Sequence, residues 1–311
     1  SGGSALPMSN IHIGISGWRY TPWRGDFYPK GLKQRLELAY ASRAVNSIEI
    51  NGSFYALQTP ERYALWYAET PDDFTFSVKA PRYITHIKRL RDIEEPLANF
   101  YASGVLQLRD KLGATLWQFP PSFTFDADLF EAFLRLLPTT FGAARDCAKK
   151  ASRQTDPSGK SAPAKQRLRH AVEIRHPSFA CDEFIALLRR HKVALVVADT
   201  AGKWPFLEDI TSDFVYLRLH GDKKLYSSGY SESALTHWEK RIRSWTSGSQ
   251  PRDSQPVSKK PPPKRASRDL FCYFDNDIKV RAPYDARRLL EKLDLTSPLE
   301  VIPGQLPEAW A

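Results

Sequence analysis

Two short stretches of this 311-residue chain carry charge in a pattern that strand formation alone does not require. In Ala171 to Phe179, AVEIRHPSF, Val172 and Ile174 alternate with Glu173 and Arg175 before His176-Pro177-Ser178 halts the strand. In Phe214 to Gly221, FVYLRLHG, Val215, Leu217 and Leu219 alternate with Tyr216, Arg218 and His220. Carboxylate, guanidinium and imidazole groups on the inner side of buried strands cost free energy unless they meet one another or a ligand. At strand ends the natural chemistry is proton transfer by Glu173 and His220, with Arg175 and Arg218 holding an anion.

The same grammar recurs along the chain. Ile11 to Trp18, Ser47 to Tyr55, Phe74 to Lys79, Ala114 to Phe119, Ala194 to Asp199 and Leu270 to Asn276 read as six further strands. Helical patterns fill Leu32 to Val45, Pro60 to Glu69, Pro96 to Lys111, Asp126 to Leu137, Asp182 to His191, Glu232 to Trp245 and Pro283 to Leu293. Strands that alternate with helices predict an α/β fold, a single (β/α)8 TIM-type barrel. Chemistry in such barrels sits where the strands end, so the candidates are collected there.

Glu173, His220 and Asp199 are the expected catalytic acids and bases. Lys79, Arg175 and Arg218 are the expected anion clamp, with Glu49, Asn51, Gln118 and Asn276 as polar company. Trp18, Tyr55 and Tyr226 stand among rim aromatics able to stack on a sugar or base. The parity of the last strand stays open, because Phe271, Tyr273 and Asp275 alternate with Cys272, Phe274 and Asn276 without an obvious apolar side. The reading that follows is an enzyme holding a phosphate-bearing sugar or nucleotide-like substrate for hydrolysis or isomerisation. A divalent-metal alternative places Mn, Mg or Zn on Glu173, Asp199 and His220, with Asn276 or Asp277 nearby, as in sugar isomerases or apurinic-site endonucleases. Arg175 and Arg218 on the same faces oppose a dication. No Gly-rich dinucleotide fingerprint, Walker loop, HExxH or GxSxG elbow occurs.

Composition bounds the partners. The net charge is +10, but residues 145–169 hold eight Lys or Arg against two Asp, and 252–268 hold six against one. The rest of the chain is therefore close to neutral. These tracts, placed as insertions at 145–169 and 248–268, precede strands and so fall at the barrel's N-terminal, bottom side. They are expected to be flexible, and they supply a rival reading as a non-catalytic nucleic-acid-binding protein. Residues 1–10 read as a cloning scar and disordered start rather than a signal peptide, leaving 11–311 as one barrel domain. Three cysteines without CxxC spacing, and no apolar run of membrane length, point to a cytoplasmic protein with no membrane partner.

Seven motifs together have a further resonance: GISGWRYTPWRGDFYP, SIEINGSFY, FSVKAPRYITH, LWQFPPSF, VEIRHPSF, VYLRLHG and YFDND. Their order from Ile11 to Leu293 resembles the YecE-like family of uncharacterised proteins. The resemblance implies a TIM barrel and no particular reaction. It carries over Gly17, Trp18, Glu49, Asn51, Phe54, Tyr55, Lys79, Glu173, Arg175, Arg218, His220 and Asn276 as the recurrent positions, with the two basic insertions as additions.

Overall fold

The computed structural model describes residues 10–152, 162–226, 228–276 and 280–310. Eight short apolar segments form strands β1 (Ile11–Ser16), β2 (Ser47–Ile50), β3 (Thr75–Lys79), β4 (Leu112–Gln118), β5 (Arg169–Glu173), β6 (Ala194–Asp199), β7 (Phe214–Leu219) and β8 (Asp269–Phe274). They pair in parallel in chain order, and β8 returns to β1 to close the barrel. Helices α1 (Glu37–Ala44), α2 (Gly52–Tyr55), α3 (Pro60–Glu69), α4 (Glu94–Ala102), α5 (Ala127–Leu136), α6 (Phe141–Ala148), α7 (Asp182–Arg190), α8 (Glu232–Thr246) and α9 (Arg281–Lys292) link them. The fold is the (β/α)8 barrel that alternation predicts.

Parallel barrel strands bury both faces, so two cores form. The outer one joins strands to helices through residues such as Ile13, Ile48, Trp117, Val197 and Leu217. The inner one fills the lumen with Ala114, Leu116, Ala171, Ala194, Val196, Ala198 and four aromatic rings. Small side chains from β4 to β6 make room for Phe214, Tyr216, Phe271 and Tyr273 from β7 and β8, which is how a narrow barrel interdigitates. The lumen is thus layered. His12 stacks on Phe271 at 4.8 Å near the bottom. Above them the Tyr273 hydroxyl bridges Ser47 and Ser77 at 2.7 and 2.8 Å. One ion pair, Arg169 with Asp269 at 2.8 Å, stands at the bottom, and the larger group of charges lies at the top.

Gly14 shows how tightly the layers fit. A β-carbon there would lie 1.5 Å from the Ser47 carbonyl oxygen, which belongs to the adjoining strand and has no rotamer to change. Gly14→Ala is expected to cost about 3 kcal/mol or more, since relieving backbone overlap must part β1 from β2. A urea-unfolding midpoint equal to that of the parent would refute this.

Several boundaries differ from the sequence expectation. The second strand stops at Ile50, and Gly52–Tyr55 turn into α2. The fifth stops at Glu173, leaving Arg175 in the loop beyond it. The long helix expected from Pro96 breaks after Ala102, and a 3-10 segment, Val105–Lys111, takes over. Helix α6 lies where only an insertion was expected; its Thr140 cap accepts from the Ala143 amide at 3.1 Å.

Both basic tracts do separate a helix from the next strand, α6 from β5 and α8 from β8. Residues 153–161 of the first lie outside the described residues, as do positions 1–9 of the expected scar. The second has neither helix nor strand, yet buried acids of the β6–β7 connection tie it down. Asp209 accepts from the Val257 and Ser258 amides at 2.7 and 2.9 Å, and Arg241 pairs with both Glu208 and Asp253. Among the described residues no helix is long and apolar enough to cross a membrane.

Candidate functional site

The top layer of the lumen is an ion network centred on Arg218. Residue parity brings Glu49 from β2, Glu173 from β5 and Arg218 from β7 to one level, with His220 and Asp275 just beyond the strands. The Arg218 fork donates to Glu49 through Nε at 3.2 Å and Nη2 at 2.8 Å, and to Glu173 through Nη1 at 2.7 Å. Its Nη2 also reaches Asp275 at 3.4 Å. Glu49 takes two further donors, the Ser16 hydroxyl at 2.8 Å and the Tyr216 hydroxyl. Every charge here is answered, as buried charge requires.

His220 bridges the other two acids. Its Nε2 lies 2.9 Å from Glu173 and its Nδ1 3.0 Å from Asp275. Carboxylates at both ring nitrogens favour the doubly protonated imidazolium. Burial by itself would lower the pKa, but Glu173 and Asp275 outweigh it and the net shift is upward. The converse holds for Glu173: burial opposes its charge, yet Arg218, Arg175 and His220 hold it well below the usual carboxylate range. Asp275 is held down in the same manner, by His220 and Arg218 against burial.

Above this network opens a cavity of about 520 Å³. Lys79, Arg175 and Asp275 face it with Gln118, and Arg82, His86 and the aromatics Tyr20, Phe54, Tyr55 and Tyr226 wall it. Three full cations against one carboxylate make the chamber electropositive. Arg175 lies over the Trp204 ring at 3.9 Å, with its Nη2 3.8 Å from Glu173 and its buried Nε without a hydrogen-bond partner. Lys79 ends β3 with its ammonium 3.9 Å over the Phe54 ring. Burial, helped by Arg218, lowers its pKa to about 8. A π-helical turn, Tyr83–Ile87, presents His86, whose Nδ1 meets the Thr85 hydroxyl at 2.7 Å. Burial and then Lys79 lower His86 to about 4, so it is neutral.

The loop after β7 folds back over the network. Gly221 holds a φ of 145° that only glycine adopts freely, and a β-carbon there would sit 2.2 Å from the Lys224 carbonyl oxygen. Tyr226, at φ 63°, sets its ring edge-on to His220 at 5.6 Å and donates its amide to the His220 carbonyl.

Of the residues expected from sequence, the structure brings together Glu49, Glu173, Arg218 and His220 in the network. Lys79, Arg175, Asn51, Gln118, Tyr55 and Tyr226 gather at the cavity. Arg218 itself is fully buried and spent on carboxylates; the cations that line the cavity are Lys79, Arg82 and Arg175. Trp18 sits aside in a neighbouring cleft, edge-on to Trp66 at 5.2 Å.

Two expected members stand elsewhere. Asp199 turns away from the lumen, where Ala198 holds the inner face of β6, and accepts from the Tyr230 hydroxyl at 3.0 Å. Burial raises its pKa despite that bond. Asn276 likewise faces out, donating to Asp285 at 2.9 Å and to the Ser228 carbonyl at 3.0 Å. The lumen position belongs to Asp275, continuing the inward row of Phe271 and Tyr273. The metal set Glu173, Asp199 and His220 therefore does not converge; both oxygens of Glu173 already accept N–H donors. Among the described residues no group of three or more His, Cys, Asp or Glu is placed to hold a metal, and Asp277 lies outside them.

Fold and site together define a (β/α)8 barrel with a polar centre at its C-terminal mouth, the usual address of chemistry in this architecture. The family model described as "Protein of unknown function DUF72" matches residues 12–308, and the chain belongs to that family. It is 35% identical over 122 residues to the UPF0759 protein YunF of Bacillus subtilis, covering 36% of this chain and 41% of that protein. It is 31% identical over 170 residues to the UPF0759 protein YecE of Escherichia coli, covering 54% of this chain and 50% of that one. The matched region thus spans half or less of these relatives. A DUF72 family protein from Thermotoga maritima superposes with a TM-score of 0.69 at 24% identity, over 92% of this chain and 99% of the other. Another from Enterococcus faecalis gives 0.66 at 18%, over 95% and 99%. At these identities the likeness speaks for the fold.

Proposed function

We propose that the cavity at the barrel mouth binds a small anionic substrate, a phosphorylated sugar or nucleotide-like molecule, and promotes proton transfer on it. The observation that carries this reading is the excess of cations on one concave surface: Lys79, Arg82 and Arg175 against Asp275 alone. Asp275 is already engaged by His220, and the Arg175 Nε has no partner. An excess of positive charge in a partly dehydrated chamber is the complement of a phosphate or carboxylate. Tyr20, Tyr55 and Tyr226 offer ring faces to the rest of the ligand.

His220 is sealed from the cavity, with both nitrogens facing acids, so it cannot meet a substrate directly. Asp275 lies on the cavity and touches His220, and it is the group through which protons pass. The reaction class that suits this arrangement is acid–base hydrolysis or isomerisation.

Titration calorimetry with inorganic phosphate and a panel of phosphorylated sugars tests the reading. Saturable binding is expected, and Arg82→Ala and Arg175→Ala should each weaken it about tenfold or more, the worth of one charge-assisted hydrogen bond. Binding that both variants leave unchanged would refute the anion site. Saturable binding to nucleic acid that disappears with residues 145–169 and 248–268, and none to phosphate, would favour the rival reading instead.

A further inference from the structure

We propose that Lys79 is a nucleophile that forms an imine with the carbonyl carbon of an anionic aldehyde or ketone held in this cavity. The inference rests on the anion-binding reading and names the substrate class within it.

Lys79 is singular in its setting. The lumen parity of β3, shared with Ser77, aims it into the barrel mouth, and the Phe54 ring supports it from below at 3.9 Å. Among the described residues, the Lys79 ammonium forms neither an ion pair nor a hydrogen bond, although three acids stand in the same layer. Those acids are taken: Glu49 and Glu173 by Arg218, and Asp275 by Arg218 and His220. A cation so placed, dehydrated and beside a guanidinium, is an amine whose lone pair is within easy reach. The groups facing it are Arg218 from β7, Glu49 from β2, Glu173 from β5, Asp275 after β8, His86 and Arg82 on its own loop, and Arg175 after β5. With a pKa near 8, Lys79 holds on the order of a hundredfold more neutral amine at pH 7 than an ordinary lysine.

The chemistry closes without a further reactant. The Nζ lone pair attacks the carbonyl carbon, and the carbonyl π pair moves to oxygen. Asp275 takes a proton from the new ammonium, the alkoxide takes back through solvent the proton that the Lys79 ammonium lost when its lone pair was freed, and a carbinolamine results. Asp275 then returns its proton to the hydroxyl, which departs as water and leaves the protonated imine. The overall change is ammonium plus carbonyl to iminium plus water, with nothing oxidised. Arg175 and Arg82 hold the substrate's anionic group meanwhile.

Borohydride trapping tests it. The full chain is incubated with glycolaldehyde phosphate, reduced, digested and mapped by mass spectrometry. Lys79 is expected to carry the adduct about tenfold or more above exposed Lys33 and Lys259, rising in rate as pH passes through its lowered pKa. Lys79→Arg should lose that adduct while the exposed lysines label as before. The wild-type comparison stands even if this variant fails to fold. Labelling of Lys79 no faster than Lys33 overturns the proposal, whatever calorimetry says of phosphate. Equal labelling by phosphate-free glycolaldehyde, insensitive to Arg175→Ala, leaves the imine standing and overturns the anion reading alone.

Discussion

Replacing Arg218 by methionine is expected to destabilise the protein by about 3–5 kcal/mol, the usual cost of removing one partner from a buried ion pair. The reason is what it leaves behind. Arg218 is fully buried and is the shared donor to Glu49, Glu173 and Asp275, which would then face one another with only His220 between two of them. Methionine fills much of the volume, so the loss reports charge rather than a void. Arg218→Lys should fall in between, because a point charge cannot make the two-nitrogen contact with Glu49. Glu49→Gln added to Arg218→Met should recover part of the loss, about 0.5–3 kcal/mol of coupling, since one orphaned charge is gone. Urea unfolding of these four proteins and of Glu49→Gln alone measures all of this. A loss below about 1 kcal/mol in Arg218→Met would mean that the carboxylates are not charged in the folded state.

The same arginine shows where sequence reading reaches its limit. Alternation in FVYLRLHG placed Arg218 and His220 on the inner face, and both are there. Residue type could not say whether the guanidinium would meet a ligand or its own neighbours, because that depends on Glu49, some 169 positions away in sequence. Parity was legible only where a strand carries polar residues on one side. In β3, Thr75, Ser77 and Lys79 mark the lumen plainly. In β8, Phe271 and Tyr273 face inward while Cys272 and Phe274 face outward, all apolar, since both faces of a barrel strand are dry. Residue type there does not choose between Asp275 and Asn276 as the inward group. The end of β6 misled for the same reason: ALVVA has no polar side, and Asp199 follows Val197 outward. A usable signal existed in the small residues, because Ala194 and Ala198 face the lumen where aromatic rings need room. The turn of Gly52–Tyr55 is not legible in the sequence, because its polar alternation merely continues that of the strand.

His220 is expected to be an imidazolium at neutral pH, with both ring nitrogens protonated. Burial works against this, but Glu173 and Asp275 prevail and raise the pKa above 6.5. A group whose folded pKa is raised stabilises fully below its unfolded value, and the contribution fades as pH climbs through the folded one. Glu173 and Asp275 behave oppositely: held below 4.5 and 3.8, they stabilise above those values and lose their contribution as pH falls through their folded pKa values. Buried His12 and His170, lowered to about 4 chiefly by burial, also cost stability as pH falls below 6.5. Wild-type stability against pH therefore mixes opposing slopes, and the comparison with His220→Gln separates them. The stability gap between the two proteins should be largest near pH 6 and narrow as pH rises, because glutamine carries no charge for the two acids to hold at any pH. A gap that widens toward alkaline pH would show His220 neutral in the fold. Nitrogen-15 spectra of histidine-labelled protein give the direct reading: at pH 7 a signal from a doubly protonated ring should be present that vanishes in His220→Gln. An unprotonated Nδ1 at His220 would leave Asp275 without a proton to relay, and the proton-transfer half of the proposed function would fall.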